Sequence, residues 1–210
     1  MTILYAFVQL KQAEEKPYIN VPHMNHMVYN RDNIELEIIL LLLRGEDHLR
    51  SISRKLLVPH ATIMRRLNGL IKENAVDYKK NGKNKDFFLK KTMESRAYIY
   101  SAEMYKLLKL LKKYPELGVI LNDVINKTDE KLVLLFGSYS KFEAGKESDI
   151  DIYAETTDSK VKESIDSIHT KISTKIGKFD TSSMLVREII KDHVIIRGVE
   201  EFYGRIKFFD

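Results

Sequence analysis

The chain has 210 residues, room for one domain or two small ones. At 44% hydrophobic and 31% charged it is too apolar for a disordered chain, and its longest aliphatic run, Ile38 to Leu43, falls far short of the ~18–20 residues that cross a bilayer. With no cysteine and no recognisable secretory pattern, disulfide scaffolds, thiolate metal sites and thiol nucleophiles drop out, and a soluble cytoplasmic protein without a membrane partner is expected.

The net charge of +5 is unevenly spread. Arg31–Lys91 hold 14 basic against 8 acidic residues, whereas Lys131–Asp210 hold 13 against 14, which suggests two regions with different partners. Residues 1–30 form an N-terminal extension of unclear role. Thr2 to Leu10 is strand-like, and the stretch from Pro22 to Asn30 has loop character. His23 and His26 have a metal-like spacing but no third ligand beside them, so a surface loop is the better reading.

Regular structure starts at Asn33, a plausible cap for an aliphatic helix from Ile34 to about Leu43 that Gly45 ends. Asp47 is placed to cap a second helix, His48 to about Leu57, which Val58-Pro59 breaks. A third helix runs from about His60 to Glu73, with Ile63, Leu67, Leu70 and Ile71 inward and His60, Thr62, Arg65, Arg66 and Asn68 outward. A hairpin follows: Val76 to Tyr78, a lysine-rich tip over 79–85 containing Asn81-Gly82, then Phe87 to Leu89.

Three short helices and a basic hairpin is the order of a winged helix-turn-helix, here 31–92, and Ile52 to Leu89 resembles winged-helix repressors. Leu57 to Thr62 looks like the turn into a recognition helix, and Gly82 to Lys85 looks like a wing tip. Such a helix fits the ~12 Å major groove of double-stranded DNA, with lysines along the phosphates. The expected DNA contacts are His60, Thr62, Arg65, Arg66, Lys79, Lys80, Lys83 and Lys85. From Met93 to Asn126 two helices broken at Pro115 are expected as a connector (93–130). Their stripe of Tyr98, Ala102, Tyr105, Leu108 and Leu111 fits a core or a homodimer seam.

Lys131 to Glu155 carries the chemistry. Leu132 to Phe136 is an apolar run of strand length that ends in Gly137-Ser138. Ten residues later Asp149 and Asp151 flank Ile150 at the start of a second strand. Strand alternation points both carboxylates to one face, ~6.6 Å apart at ~3.3 Å per residue. Carboxylates side by side repel unless a cation or proton lies between them, and Mg2+ with phosphate oxygens suits such a pair. A glycine at a strand end lets a phosphate approach the backbone, and a serine hydroxyl adds a donor.

The run from Leu135 to Ile152, with Gly137-Ser138, Ser148 and Asp149-x-Asp151, resembles the signature of minimal nucleotidyltransferases of the DNA polymerase β-like superfamily. The resemblance covers roughly residues 115–205. It implies an α+β chain whose C-terminal mixed-sheet domain, 131–210, moves a nucleoside monophosphate from a nucleoside triphosphate, ATP being the first choice, to a hydroxyl acceptor. Gly137, Ser138 and Lys141 would hold the nucleotide. Asp149 and Asp151 would bind two Mg2+ ions, with Asp180 the candidate third carboxylate, at once metal ligand and catalytic residue, ahead of Asp158, Asp166 and Asp192. Asp180 is expected to follow a helical segment from about Ser159 to Ile176. Phe142 stands where relatives carry a glycine. Arg187, Lys191 and Arg197 are candidate phosphate contacts, with solvated charges the simpler reading, and Gly198 reads as a turn. Relatives of this size act in toxin–antitoxin pairs, which implies a protein acceptor such as a cognate toxin. The alternative is a winged-helix transcriptional regulator whose transferase fold is inactive or only senses nucleotide.

Overall fold

The computed structural model describes residues 33–82 and 84–210. The expected strand at Thr2–Leu10, the His23/His26 loop and Lys83 lie outside the described residues. The described chain opens with α1 (Ile34–Leu42), a two-residue strand β1 (Asp47–His48), α2 (Leu49–Leu56), α3 (His60–Lys72) and the strands β2 (Val76–Asn81) and β3 (Asn84–Leu89). Ile38, Ile39, Ile52, Ile63, Leu67 and Phe87 are fully buried between these elements. At ~1.5–3 kcal/mol for each large apolar side chain, this cluster is what holds the three helices on the sheet.

The turn from α2 to α3 follows from its sequence. Leu57 takes a left-handed φ of 53°, the Val58 amide donates to the Ser53 carbonyl at 3.1 Å, and the Ser53 hydroxyl donates back to the Val58 carbonyl at 2.5 Å. Pro59, whose ring fixes φ near the helical value, then opens α3 through its carbonyl, which accepts from Thr62 and Ile63. The hairpin is longer in its strands and shorter at its tip than the sequence predicts. Pairing continues through Lys79–Asp86 and Lys80–Lys85 to Asn81–Asn84. The Asn81 side-chain amide donating to Asp86 at 2.9 Å, and the Lys85 ammonium 3.8 Å over the Tyr78 ring, support the extended ladder. The sheet order β1-β3-β2 includes the short β1, which the sequence did not suggest.

Two helices separated at Pro115 follow, as expected: α4 (Met93–Lys113), capped by the Thr92 hydroxyl at the Ser95 amide, and α5 (Leu117–Lys127). The inward face of α4 differs from the expected stripe. Ser95, Ile99, Ala102, Glu103 and Leu110 are buried, whereas Leu108 is 56% exposed. α4 packs on α1 at one side and against the C-terminal sheet at the other.

The remaining elements are β4 (Val133–Phe136), a single-turn α6 (Gly137–Ser140), β5 (Ile150–Glu155), α7 (Ser159–Asp166), β6 (Ile172–Gly177), α8 (Met184–Lys191), β7 (Val194–Arg197) and α9 (Val199–Arg205). The sheet is mixed, ordered β6-β5-β4-β7, with β5 parallel to β6 and β4 antiparallel to both its neighbours. Ile150, Ile152 and Ala154 face a core shared with Leu110, Leu117 and Leu121, and Asp151 and Tyr153 face the other side. One expectation fails. The stretch from Ser159 to Ile176 is not one helix, because Ile172, Thr174 and Ile176 alternate with Ser173 and Lys175 at a strand period, and β6 forms there. The Asp166 carboxylate closes the preceding helix onto it by accepting from the Thr174 amide at 2.9 Å.

The chain is therefore α+β. Among the described residues no helix is long and apolar enough to cross a membrane.

Candidate functional site at the Gly137 turn

β4 delivers Phe136 beside Asp151 of β5, and the chain then turns at Gly137 with φ +70°. The reason for glycine is steric. A Cβ at position 137 would stand 2.1 Å from Asp151 Oδ2, so the carboxylate lies directly on the Gly137 backbone. The turn is braced from below by Ser140, whose hydroxyl donates to the Gly137 carbonyl at 2.9 Å and the Asp192 carbonyl at 3.1 Å. Sequence reasoning missed this brace, since Asp192 is distant in the chain.

Asp149 is exposed at the mouth of β5, and Asp151 is half-buried behind it. Burial, and then the negative charge of Asp149, push the Asp151 carboxyl above its ordinary value, and Lys175 only partly opposes them. That is an electrostatic condition a cation would relieve, and carboxylate oxygens are of the hard type that divalent ions take as ligands. Ser148 folds the approach: its hydroxyl accepts from the Gly145 amide at 2.9 Å. Ser138 is half-buried and Lys141 exposed on the same turn.

Phe142, standing where a glycine is expected, has a left-handed φ of 62°. The loop thus keeps a glycine-like conformation with a bulky residue in it, at a cost of ~1–2 kcal/mol. Its ring packs on the core formed by α5 and the sheet, and its carbonyl accepts from Lys113, which hold it there.

Asp180 does not join the pair. β6 runs parallel to β5 with Ser173 beside Asp151 and Gly177 beside Glu155, and Asp180 follows beyond that far end. Its carboxylate accepts from the Ser182 amide at 2.9 Å and from the Ser182 hydroxyl at 2.7 Å, which hold its pKa below the ordinary value. Among the described residues no three His, Cys, Asp or Glu side chains come together as a metal site. Asp158 instead caps α7, accepting from Lys160, and Asp166 binds Thr174. Arg197 is not a phosphate contact. Its guanidinium donates to the carbonyls of Ile125 and Thr128 at 2.9 and 2.5 Å, satisfying the C-terminal end of α5.

In the basic region, His60 and Arg65 are exposed at the start of α3 and Thr62 is half-buried. Arg66 is turned inward rather than outward, paired with Glu35 of α1 at 2.5 Å. Lys79 pairs with Glu46, Lys85 lies over Tyr78, and Lys80 is exposed on the hairpin.

Scans against protein-family models, curated proteins and solved structures return no match to this chain.

Proposed function

We propose that residues 131–210 form a minimal nucleotidyltransferase that binds a nucleoside triphosphate, ATP first, at the Gly137 turn, and that residues 31–92 form a winged helix that docks on duplex DNA. The observation that carries the first part is the Asp151 carboxylate seated on the bare Gly137 backbone, with Asp149 beside it and Ser138 on the same turn. Asp149 and Asp151 would hold Mg2+, which when bound neutralises charge on the triphosphate. Gly137 lets the Asp151 carboxylate reach the main chain of the turn, and Ser138 and Lys141 would supply a hydroxyl and an ammonium toward the phosphates. In the transfer, an acceptor hydroxyl oxygen bonds to the α-phosphorus, the bond to the bridging oxygen breaks, and pyrophosphate leaves while the hydroxyl proton passes to solvent. The acceptor in this reading is a hydroxyl on a protein, such as a cognate toxin.

A second reading rests on Ser173. The residue beside Asp151 on the adjacent strand is a hydroxyl, not a carboxylate, so no third carboxylate orients an attacking group there. That favours a regulator that binds nucleotide without transferring it. One experiment addresses both. Thermal unfolding with each nucleoside triphosphate, with and without Mg2+, is compared for wild type and an Asp149→Ala/Asp151→Ala variant, alongside transfer of labelled nucleotide. Stabilisation that needs both Mg2+ and the aspartates is the expected result, and an equal response in the variant overturns the site. Binding without transfer, converted to transfer by Ser173→Asp, selects the regulator.

The winged-helix reading is supported by exposed His60, Arg65 and Lys80 on one helix start and one hairpin. Arg65→Ala/Lys80→Ala should weaken duplex binding and flatten its salt dependence by about two phosphate contacts, a change in log–log slope of about 1.8. Identical salt slopes for wild type and variant remove DNA from the proposal.

A further inference from the structure

The strand next to the Asp149/Asp151 pair brings it charge of the opposite sign. β6 is the outer strand of the sheet and runs parallel to β5, with Ser173 beside Asp151, Lys175 beside Tyr153 and Gly177 beside Glu155. Ile172 and Thr174 are buried on the core side, so alternation puts Ser173 and Lys175 on the other face of the sheet, the one that carries Asp151 and Tyr153. Positions 175 and 151 are diagonal neighbours on that face, about 7–8 Å apart, a span within reach of a long side chain. Other basic side chains around the pair are engaged. Lys171 donates to the Lys146 carbonyl, and Lys113 donates to the Phe142 carbonyl. Glu155, the second carboxylate diagonal to Lys175, is paired with Arg205 at 3.0 Å. Lys175 itself is exposed and, among the described residues, makes no hydrogen bond or ion pair. Its charge nonetheless acts on the Asp151 carboxyl, against burial and Asp149, so it stands within electrostatic range without contact and its ammonium is free to donate.

The number of ions at such a site follows from its charges. One divalent ion balances two carboxylates, and a triphosphate brings further negative charge. Two-ion sites meet that charge with a second cation about 3.5–4 Å from the first, which needs oxygen ligands of its own. Here the positions of β6 on the face of the pair hold a hydroxyl and an ammonium. An ammonium has donors and no acceptor, so it ligates no metal, and its charge repels one. What it does bind, as a point charge, is phosphate oxygen.

We propose that Lys175 is a phosphate-binding residue of the nucleotide site, and that its ammonium takes the place of a second divalent ion, so that a single ion accompanies each nucleoside triphosphate. The proposal rests on the nucleotide-binding reading of the Gly137 turn. The phosphate-binding groups then come from both strands that flank β5: Ser138 and Lys141 follow β4, and Lys175 lies on β6.

The test is equilibrium dialysis of the full chain against Mn2+ and the α,β-methylene analogue of ATP, whose bridging carbon prevents transfer. Metal and analogue retained per chain are counted separately. The expected result for wild type is about one Mn2+ per analogue, against about two for a two-ion site. Lys175→Met should weaken the analogue about tenfold or more, the worth of one charged hydrogen bond, without lowering the affinity for Mn2+ alone. Lys175→Arg keeps the charge and should restore most of the loss. Lys178→Met removes an exposed charge just past the end of β6 and should change nothing, which separates a contact at 175 from a general loss of positive field. A second Mn2+ per analogue in wild type, equal analogue binding by wild type and a folded Lys175→Met, or an equal loss in Lys178→Met overturns the assignment and leaves the nucleotide site in place. A wild type that retains neither Mn2+ nor the analogue removes the nucleotide site, and the assignment with it.

Discussion

Gly137 follows β4 and Gly198 follows its neighbour β7, and both turn the chain in the left-handed region, with φ of +70° and +88°. The strands are antiparallel, so the two turns lie at opposite ends of one sheet. What lies over each glycine differs. At Gly137 an added Cβ would meet the Asp151 carboxylate at 2.1 Å. At Gly198 it would meet the Lys131 carbonyl oxygen at 2.0 Å and the Leu132 Cα at 3.2 Å, where the chain enters β4. A carboxylate can swing about its side-chain bonds, and a main chain already committed to a ladder cannot. The Gly198 end is further fixed by Arg197 on the α5 carbonyls. The same steric demand thus locks the sheet at one end and, at the other, leaves a space that a side chain now fills and a phosphate could take.

The largest effect expected from this contrast is at Gly198. Gly198→Ala adds an unfavourable left-handed backbone and an overlap with main chain that no rotamer relieves, and should cost about 3 kcal/mol or more in chemical denaturation. A loss below about 1 kcal/mol would mean that the two ends of the sheet are equally compliant and the contrast is empty.

What the sequence could reveal divides along the same line. The Gly137-Ser138 turn and the Asp149/Asp151 pair are local: a strand period, a glycine and a short spacing place them, and the structure does bring Asp151 onto Gly137. The break at Pro115 and the turn at Leu57–Pro59 are legible for the same reason. Asp180 was not placeable, because its position depends on the register of β6 against β5, a pairing of segments about twenty residues apart that no local pattern specifies. The alternation of Ile172, Thr174 and Ile176 is too short to stand out from the helical pattern before it. Arg66 and Arg197 read as outward charges because their partners, Glu35 and the α5 carbonyls, are 31 and about 70 residues away. The Glu103–Tyr203 bond joins residues 100 apart and left no sequence signal at all.

A smaller loss of stability, with a larger loss of ligand response, should follow substitution at the other glycine. Gly137→Ala carries the same left-handed strain of ~1–2 kcal/mol, but the Asp151 carboxylate can rotate away from the new methyl group. The denaturation midpoint should therefore fall less than for Gly198→Ala. The displaced carboxylate and the occupied space should nonetheless remove Mg2+-dependent stabilisation by nucleoside triphosphate. If Gly137→Ala keeps that response in full, the space over the turn has no part in binding.

The smallest effect separates the cost of the carboxylate from its use. Burial and Asp149 raise the Asp151 pKa in the folded protein, so the folded state holds this proton more tightly than the unfolded chain does. The sign follows from linkage: where the folded state binds more protons, stability falls as pH rises, from the unfolded value near about 4 up through the raised folded value, and the penalty persists above it. Asp151→Asn removes that penalty while keeping size and hydrogen-bonding reach. Without nucleotide or Mg2+, the variant should melt at or slightly above the wild-type temperature at neutral pH, and the gain should vanish below pH about 4, where the wild-type carboxyl is protonated in both states. The same variant should lose its response to Mg2+ and triphosphate. A side chain that is unfavourable at rest and required only when a cation is present is one the fold keeps for binding. If Asp151→Asn is instead destabilised at neutral pH and indifferent below pH 4, the carboxylate belongs to the structure of the sheet, and the Gly137 end is as structural as the Gly198 end.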